Sequence, residues 1–135
     1  MVSTVPKRDS DKGIIMRPDP DRELELYVDA DFAGNWNKEE SNVRDTARSR
    51  HGYVINYKGC PILCKSQLQN EIALSSTESE YIGISSGLRD VIPIMRTLVE
   101  MKEFGIPISH TTSQVYCQVF EDNSGALEMA KVHKY

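Results

Sequence analysis

The sequence predicts one α/β domain on a mixed sheet, with its elements in the order β-β-β-α-β-α. Three observations predict it. Apolar Leu24, Leu26 and Val28 alternate with Glu23, Glu25 and Tyr27, the period of a strand that ends at Asp29. Further on, Ile84, Leu88, Val91, Ile92, Met95, Leu98 and Val99 recur at the three-to-four spacing of a long helix. A last apolar strand then runs up to Asp122, and a right-handed crossover through the helix would lay it parallel to the first.

Composition narrows the class. A chain of 135 residues suits one domain, and 39% hydrophobic with 27% charged residues supports a modest core and excludes wholesale disorder. The net charge of −4 does not mark the whole chain as a nucleic-acid binder, so any basic footprint must be local. No apolar run approaches the roughly 20 residues of a membrane helix, and residues 1–11 lack the apolar core of a secretory signal. Cys60, Cys64 and Cys117 make an odd number, which suggests reduced thiols in a reducing compartment. Cys60 and Cys64 have no nearby His or second Cys pair to close a zinc site, so both are expected to be buried small apolar residues.

The remaining elements follow in chain order. Residues 1–20 are polar, end in Pro18 and Pro20, and read as a connector. Residues 30–50 offer no core face and read as a loop, yet they hold Arg44, Arg48 and Arg50, the densest basic cluster. Tyr53, Val54, Ile55 and Tyr57 form a second strand, Lys58-Gly59 a hairpin turn, and residues 61–65 a third strand beginning at Pro61. Ser75 and Glu78 form an S-x-x-E capping box at the start of the long helix. Pro93 is expected to kink or break that helix, which should stop near Gly105. The fourth strand, over residues 115–121, is apolar on both faces and is expected to be central. Asn123 or Ser124 then caps a short helix containing Ala126, Leu127 and Met129.

Three carboxylates fall at telling places. Asp29 ends the first strand and Asp122 the fourth, so parallel neighbours would open both into one crevice. Glu80 lies in the first turns of the crossover helix. Oxygen ligands without His or Cys suit a hard cation such as Mg²⁺. Two such ions about 4 Å apart could activate water and stabilise a leaving oxygen in phosphodiester cleavage. Asp29 would then bridge the ions, Glu80 would hold the one nearer the leaving group, and Asp122 the one nearer the nucleophile. Spacing alone leaves other readings open. Asp29 and Asp31 fit an Asx turn, Glu78 fits the capping box, and Asp122 fits a helix cap.

Four motif strings sharpen this reading. LYVDADFAG at 26–34, SRHGYVINYKGCPI at 49–62, EIALSSTESEYIGIS at 71–85 and VFEDNSGALEMAK at 119–131 resemble, in order and spacing, the ribonuclease H domain of copia-type LTR retrotransposons. KGIIMRPD at 12–19 resembles the connector that follows reverse transcriptase in such polyproteins. The resemblance implies a ribonuclease H-like fold over residues 21–135, with 1–20 as linker. It also implies a hydrolase of the two-metal-ion type that cuts RNA in RNA–DNA hybrids during reverse transcription. Asp29, Glu80 and Asp122 match the family's carboxylates, with Asp31 the weaker candidate at the first strand. Two Mg²⁺ or Mn²⁺ ions would be the cofactors. The partners would be an RNA–DNA hybrid and the reverse transcriptase domain of the same polyprotein, within an intracellular, cytoplasmic virus-like particle and without a membrane. Cys64 stands where many members carry Trp.

Such domains continue with a further strand and a helix bearing a fourth acidic residue. A chain ending at Tyr135 is therefore expected to be incomplete, C-terminally truncated and weakly active or inactive. The alternative function is a catalytically inactive remnant that serves as a structural or nucleic-acid-binding module. Hybrid recognition needs phosphate and 2′-OH contacts rather than base readout, and Arg44, Arg48, Arg50, Lys58 and Lys65 are the candidates. Tyr81 is read as a packing residue.

Overall fold

The computed structural model describes residues 13–108 and 115–131. Its strands are β1 (Leu24–Asp31), β2 (Arg50–Tyr57), β3 (Cys60–Leu68) and β4 (Cys117–Phe120). Two helices, α1 (Ser76–Glu103) and α2 (Ser124–Ala130), complete the order β-β-β-α-β-α. The fold is α/β with a mixed four-stranded sheet in the order β3-β2-β1-β4. β2 pairs antiparallel with β1 and β3, while β4 runs parallel to β1. The crossover through α1 makes that parallel pairing possible.

Local chemistry sets these elements. Lys58 and Gly59 both adopt positive φ, 52° and 75°, so the β2–β3 turn has the twist that a tight hairpin needs. Ser75 Oγ accepts from the Glu78 N–H at 3.1 Å, and a Glu78 carboxylate oxygen accepts from the Leu74 N–H at 2.7 Å. The capping box therefore forms, displaced by one residue on its return arm. Gly105, at φ 78°, closes the other end of α1. Asn123 accepts from the Ala126 N–H and caps α2.

The core lies between one sheet face and the helices. Leu24, Leu26 and Val28 of β1 meet Tyr53 and Ile55 of β2, Ile84 and Val91 of α1, and Ala126 of α2. Each fully buried Leu or Ile contributes about 1.5–3 kcal/mol of transfer free energy. α1 comes close because two of its core-facing positions lack side chains. A Cβ on Gly87 would lie 2.9 Å from Leu26 Cδ1 and Cδ2, and one on Gly83 would lie 3.0 Å from Val28 Cγ1. On the other face, the rings of Tyr27 and Phe120 stack at 4.6 Å.

Several expectations need correction. Among the described strands β4 is an edge, not central, and its outward apolar residue Phe120 is 41% exposed. On that second apolar face Phe120 stacks on Tyr27. Pro93 does not break α1, which runs on to Glu103. It sits on the exposed side, where water can serve the Arg89 carbonyl that loses its N–H partner. Cys64 is exposed and Cys60 half-buried, because β3 is the other edge of the sheet. β3 also reaches Leu68, three residues beyond the expected end. Within the loop after β1, two single 3₁₀ turns form at Lys38–Glu40 and Arg44–Thr46.

The connector is described from Gly13 onward. It is exposed as far as Pro20 and free of helix and strand, and it is held at one point. The Asp19 N–H donates to the Lys58 carbonyl at 2.8 Å, and Lys58 Nζ donates to the Pro20 carbonyl at 2.9 Å. No helix among the described residues is long and apolar enough to cross a membrane.

Candidate metal centre

Glu80 belongs to the second turn of α1, on the side facing the sheet. It is 6% exposed, and its Oε2 has no hydrogen-bond partner. An ionised carboxylate so placed is costly unless something positive meets it. What meets it is more negative charge. Carboxylate oxygens of Glu80, Glu121 and Asp122 lie within 4.8 Å of one another. Glu121 Oε1 accepts from the Asn123 N–H at 3.0 Å, while its Oε2 is buried and unpartnered.

The strand alternation that separates Glu121 from Asp122 ends at Phe120, the last residue of β4. Beyond it the chain bends at Asp122, so both side chains can turn toward Glu80. The crossover helix is held close here. A Cβ on Gly125, at the start of α2, would sit 3.2 Å from Thr77 Cγ2 in the first turn of α1.

Burial and the charges of Glu121, Asp29 and Asp122 push the Glu80 carboxyl up to about 7. Burial also raises Glu121, reinforced by Asp122 and opposed by the Asn123 N–H. At neutral pH the cluster therefore competes for a proton that a divalent ion would displace. The donor set fits such an ion. It offers only hard oxygens, two of them buried without a partner.

Of the residues singled out from sequence, Glu80 and Asp122 come together here. Asp29 acts on Glu80 through its charge but is not part of the trio. It pairs with Gly52 across the ladder and lines a hollow with Gly52, Lys65 and Ser66. Continuing the β1–β4 register from the Tyr27–Phe120 pair sets Asp29 level with Asp122. Asp31 folds over Gly34, where even a Cβ would clash with its carboxylate, so it serves the turn. Glu78 is taken by the cap. Sequence reasoning missed Glu121. Its only signal was adjacency to Asp122, which strand alternation argues against.

The basic candidates divide. Lys58 is 8% exposed, with its ammonium on the Pro20 carbonyl and 5.9 Å from the Tyr57 ring centre, so it serves the hairpin. Lys65 pairs with Asp90 at 3.6 Å and lies over the Tyr53 ring. Arg48 Nε donates to the Gln69 carbonyl and Nη1 to Asp45 at 2.9 Å, and Arg44 reaches the Asn70 carbonyl at 3.4 Å. Arg50 is exposed at the start of β2. Tyr81 is 37% exposed and lines a cavity of about 230 Å³ with His51, Gln69 and Arg89.

Comparison with known proteins bears on these observations. The chain is 31% identical over 83% of its length to a retrovirus-related Pol polyprotein from the tobacco (Nicotiana tabacum) transposon TNT 1-94. It is 32% identical over 86% of its length to the Pol polyprotein of transposon RE2 from Arabidopsis thaliana. A third relative, secreted RxLR effector protein 161 of Plasmopara viticola, is 33% identical over 49% of the chain and 41% of that protein. The sequence is thus homologous to a region of plant retrotransposon Pol polyproteins, and it spans 7% of the length of the two Pol relatives. No protein-family model and no solved structure matches it.

Proposed function

We propose that this Pol-like region is a ribonuclease H-like domain that hydrolyses RNA in RNA–DNA hybrids with the help of divalent ions. The single observation that carries the reading is the convergence of Glu80, Glu121 and Asp122 around two buried, unpartnered carboxylate oxygens. Asp29 adds its charge from the neighbouring strand. The mixed sheet with a crossover helix over one face is compatible with that fold. The four motif strings supply the residue-by-residue match.

Glu80, Asp122 and Asp29 would hold Mg²⁺ or Mn²⁺, with Glu121 as an additional oxygen donor. Bound there, such ions supply a Lewis acid and lower the pKa of water. The protein's own part is to bring the acids together and hold them. The cap on Ser75 and Glu78 fixes the first turn of α1, and the Asn123 N–H orients Glu121. Arg44 and Arg48 on the loop before β2, Arg50 at the start of β2, and Lys65 on β3 would be the candidate phosphate contacts.

The test is cleavage of a labelled RNA–DNA hybrid by the full chain in Mg²⁺ or Mn²⁺. Weak RNA-strand cleavage is expected, absent in EDTA, and reduced more than about 100-fold by Asp122→Asn, since even second-shell changes at metal sites cost 10–100-fold. Cleavage that ignores EDTA or Asp122→Asn would remove the reading. Hybrid binding without cleavage by a metal-loaded chain would favour the nucleic-acid-binding module instead.

A further inference from the structure

We infer that Gln69, on the connector between β3 and α1, is a positioning residue that sets the peptide plane of Glu80 and so the cation affinity of the acidic cluster. This rests on the divalent-cation reading above and adds a residue that the motifs do not single out. Gln69 is 1% exposed. Its side-chain Nε2 donates to the Ser79 carbonyl at 2.7 Å. That carbonyl belongs to the peptide unit whose nitrogen is Glu80's. The amide orientation is forced, because a carbonyl oxygen only accepts and the side-chain oxygen could not face it.

The same residue is held from two other sides. Its N–H donates to the Ser49 carbonyl at 2.8 Å, and its own carbonyl accepts from Arg48 Nε. Ser49 is fully buried, and its hydroxyl accepts from the Ala33 N–H at 3.2 Å. Gln69 therefore joins the loop after β1, the basic loop before β2 and the second turn of α1. A residue needed only for packing would be apolar here. Gln69 instead leaves its Oε1 buried and unpartnered, a cost of about 1–3 kcal/mol that Leu or Met would avoid. The Glu80 carboxylate has no partner for its own Oε2, so the placement of its backbone bears directly on where that oxygen lies.

The experiment titrates Mn²⁺ alone into the full chain and into Gln69→Leu by calorimetry, with the apo melt in EDTA as a folding check. The Mn²⁺ Kd of a folded Gln69→Leu is expected to rise about 10–100-fold, as for other groups that orient metal ligands. In the hybrid assay the Mg²⁺ requirement should rise in step while the KM for hybrid stays unchanged, a split that general loosening would not give. A folded variant whose Kd stays within twofold of the wild type overturns the inference and leaves the cation reading standing. A wild type that binds no Mn²⁺ removes both. If Gln69→Leu gives no cooperative melt, the wild-type side-chain amide answers. Slow hydrogen exchange at Gln69 Nε2 and a resonance shift on adding Mg²⁺ support the role, and fast exchange with no shift ends it.

Discussion

Glu80 carries a pH signature that can be read without any substrate. Its carboxyl is raised to about 7 by burial and by three neighbouring acids, whereas the unfolded chain would titrate near 4.5. The folded state then holds a proton that the unfolded state has released. The stability from this group is complete below about 4.5 and is lost as pH rises through about 7. The amount is at most about 3 kcal/mol, from 1.36 kcal/mol per unit. Denaturant melts in EDTA at pH 4.5 and 7.5 are expected to show that loss in the wild type and to lack it in Glu80→Gln. Equal pH slopes in the two proteins would show that the carboxyl does not feel its neighbours. A divalent ion held as proposed would reverse the sign, because it would bind the deprotonated acids, so cation affinity should climb over the same interval.

At the scale of elements, α1 is seated by absent side chains. Gly87→Ala gains about 1 kcal/mol of helix propensity but drives a methyl against the fully buried Leu26, an overpacking worth about 1–3 kcal/mol. A net loss of about 1 kcal/mol is expected in denaturant melts, and a gain would mean that Leu26 repacks freely. Elements with local codes were legible in the sequence. The alternation of β1, Gly59 in the hairpin, the Ser75–Glu78 cap and the stop at Gly105 all depend on near neighbours. What escaped depends on distant ones. β4 looked central because Phe120 is apolar, and only the partner strands reveal an edge. β3 was cut short because the polar stretch Lys65–Gln67 hides an edge strand with little to bury. Glu121 was overlooked because strand alternation stops one residue before it, and nothing in the letters marks that point.

For the whole molecule, the acidic cluster is a local debt of repulsion that cations would relieve. One buried core joins the sheet to both helices, so the domain should respond as one cooperative unit. At 100 times its Kd, Mg²⁺ should stabilise the fold by about 2.7 kcal/mol, seen as a rise in Tm that EDTA reverses and Na⁺ at equal ionic strength does not reproduce. No rise would mean that no site forms. The bond between Asp19 and Lys58 has a practical corollary. It fastens the incoming chain beside Leu24 and Tyr57, while the acids gather at the opposite pole, roughly 17 Å away at 3.3 Å per residue of β1. A bulky fusion or surface tether joined upstream would thus hang from the blunt end of the sheet and leave the acidic cluster uncovered.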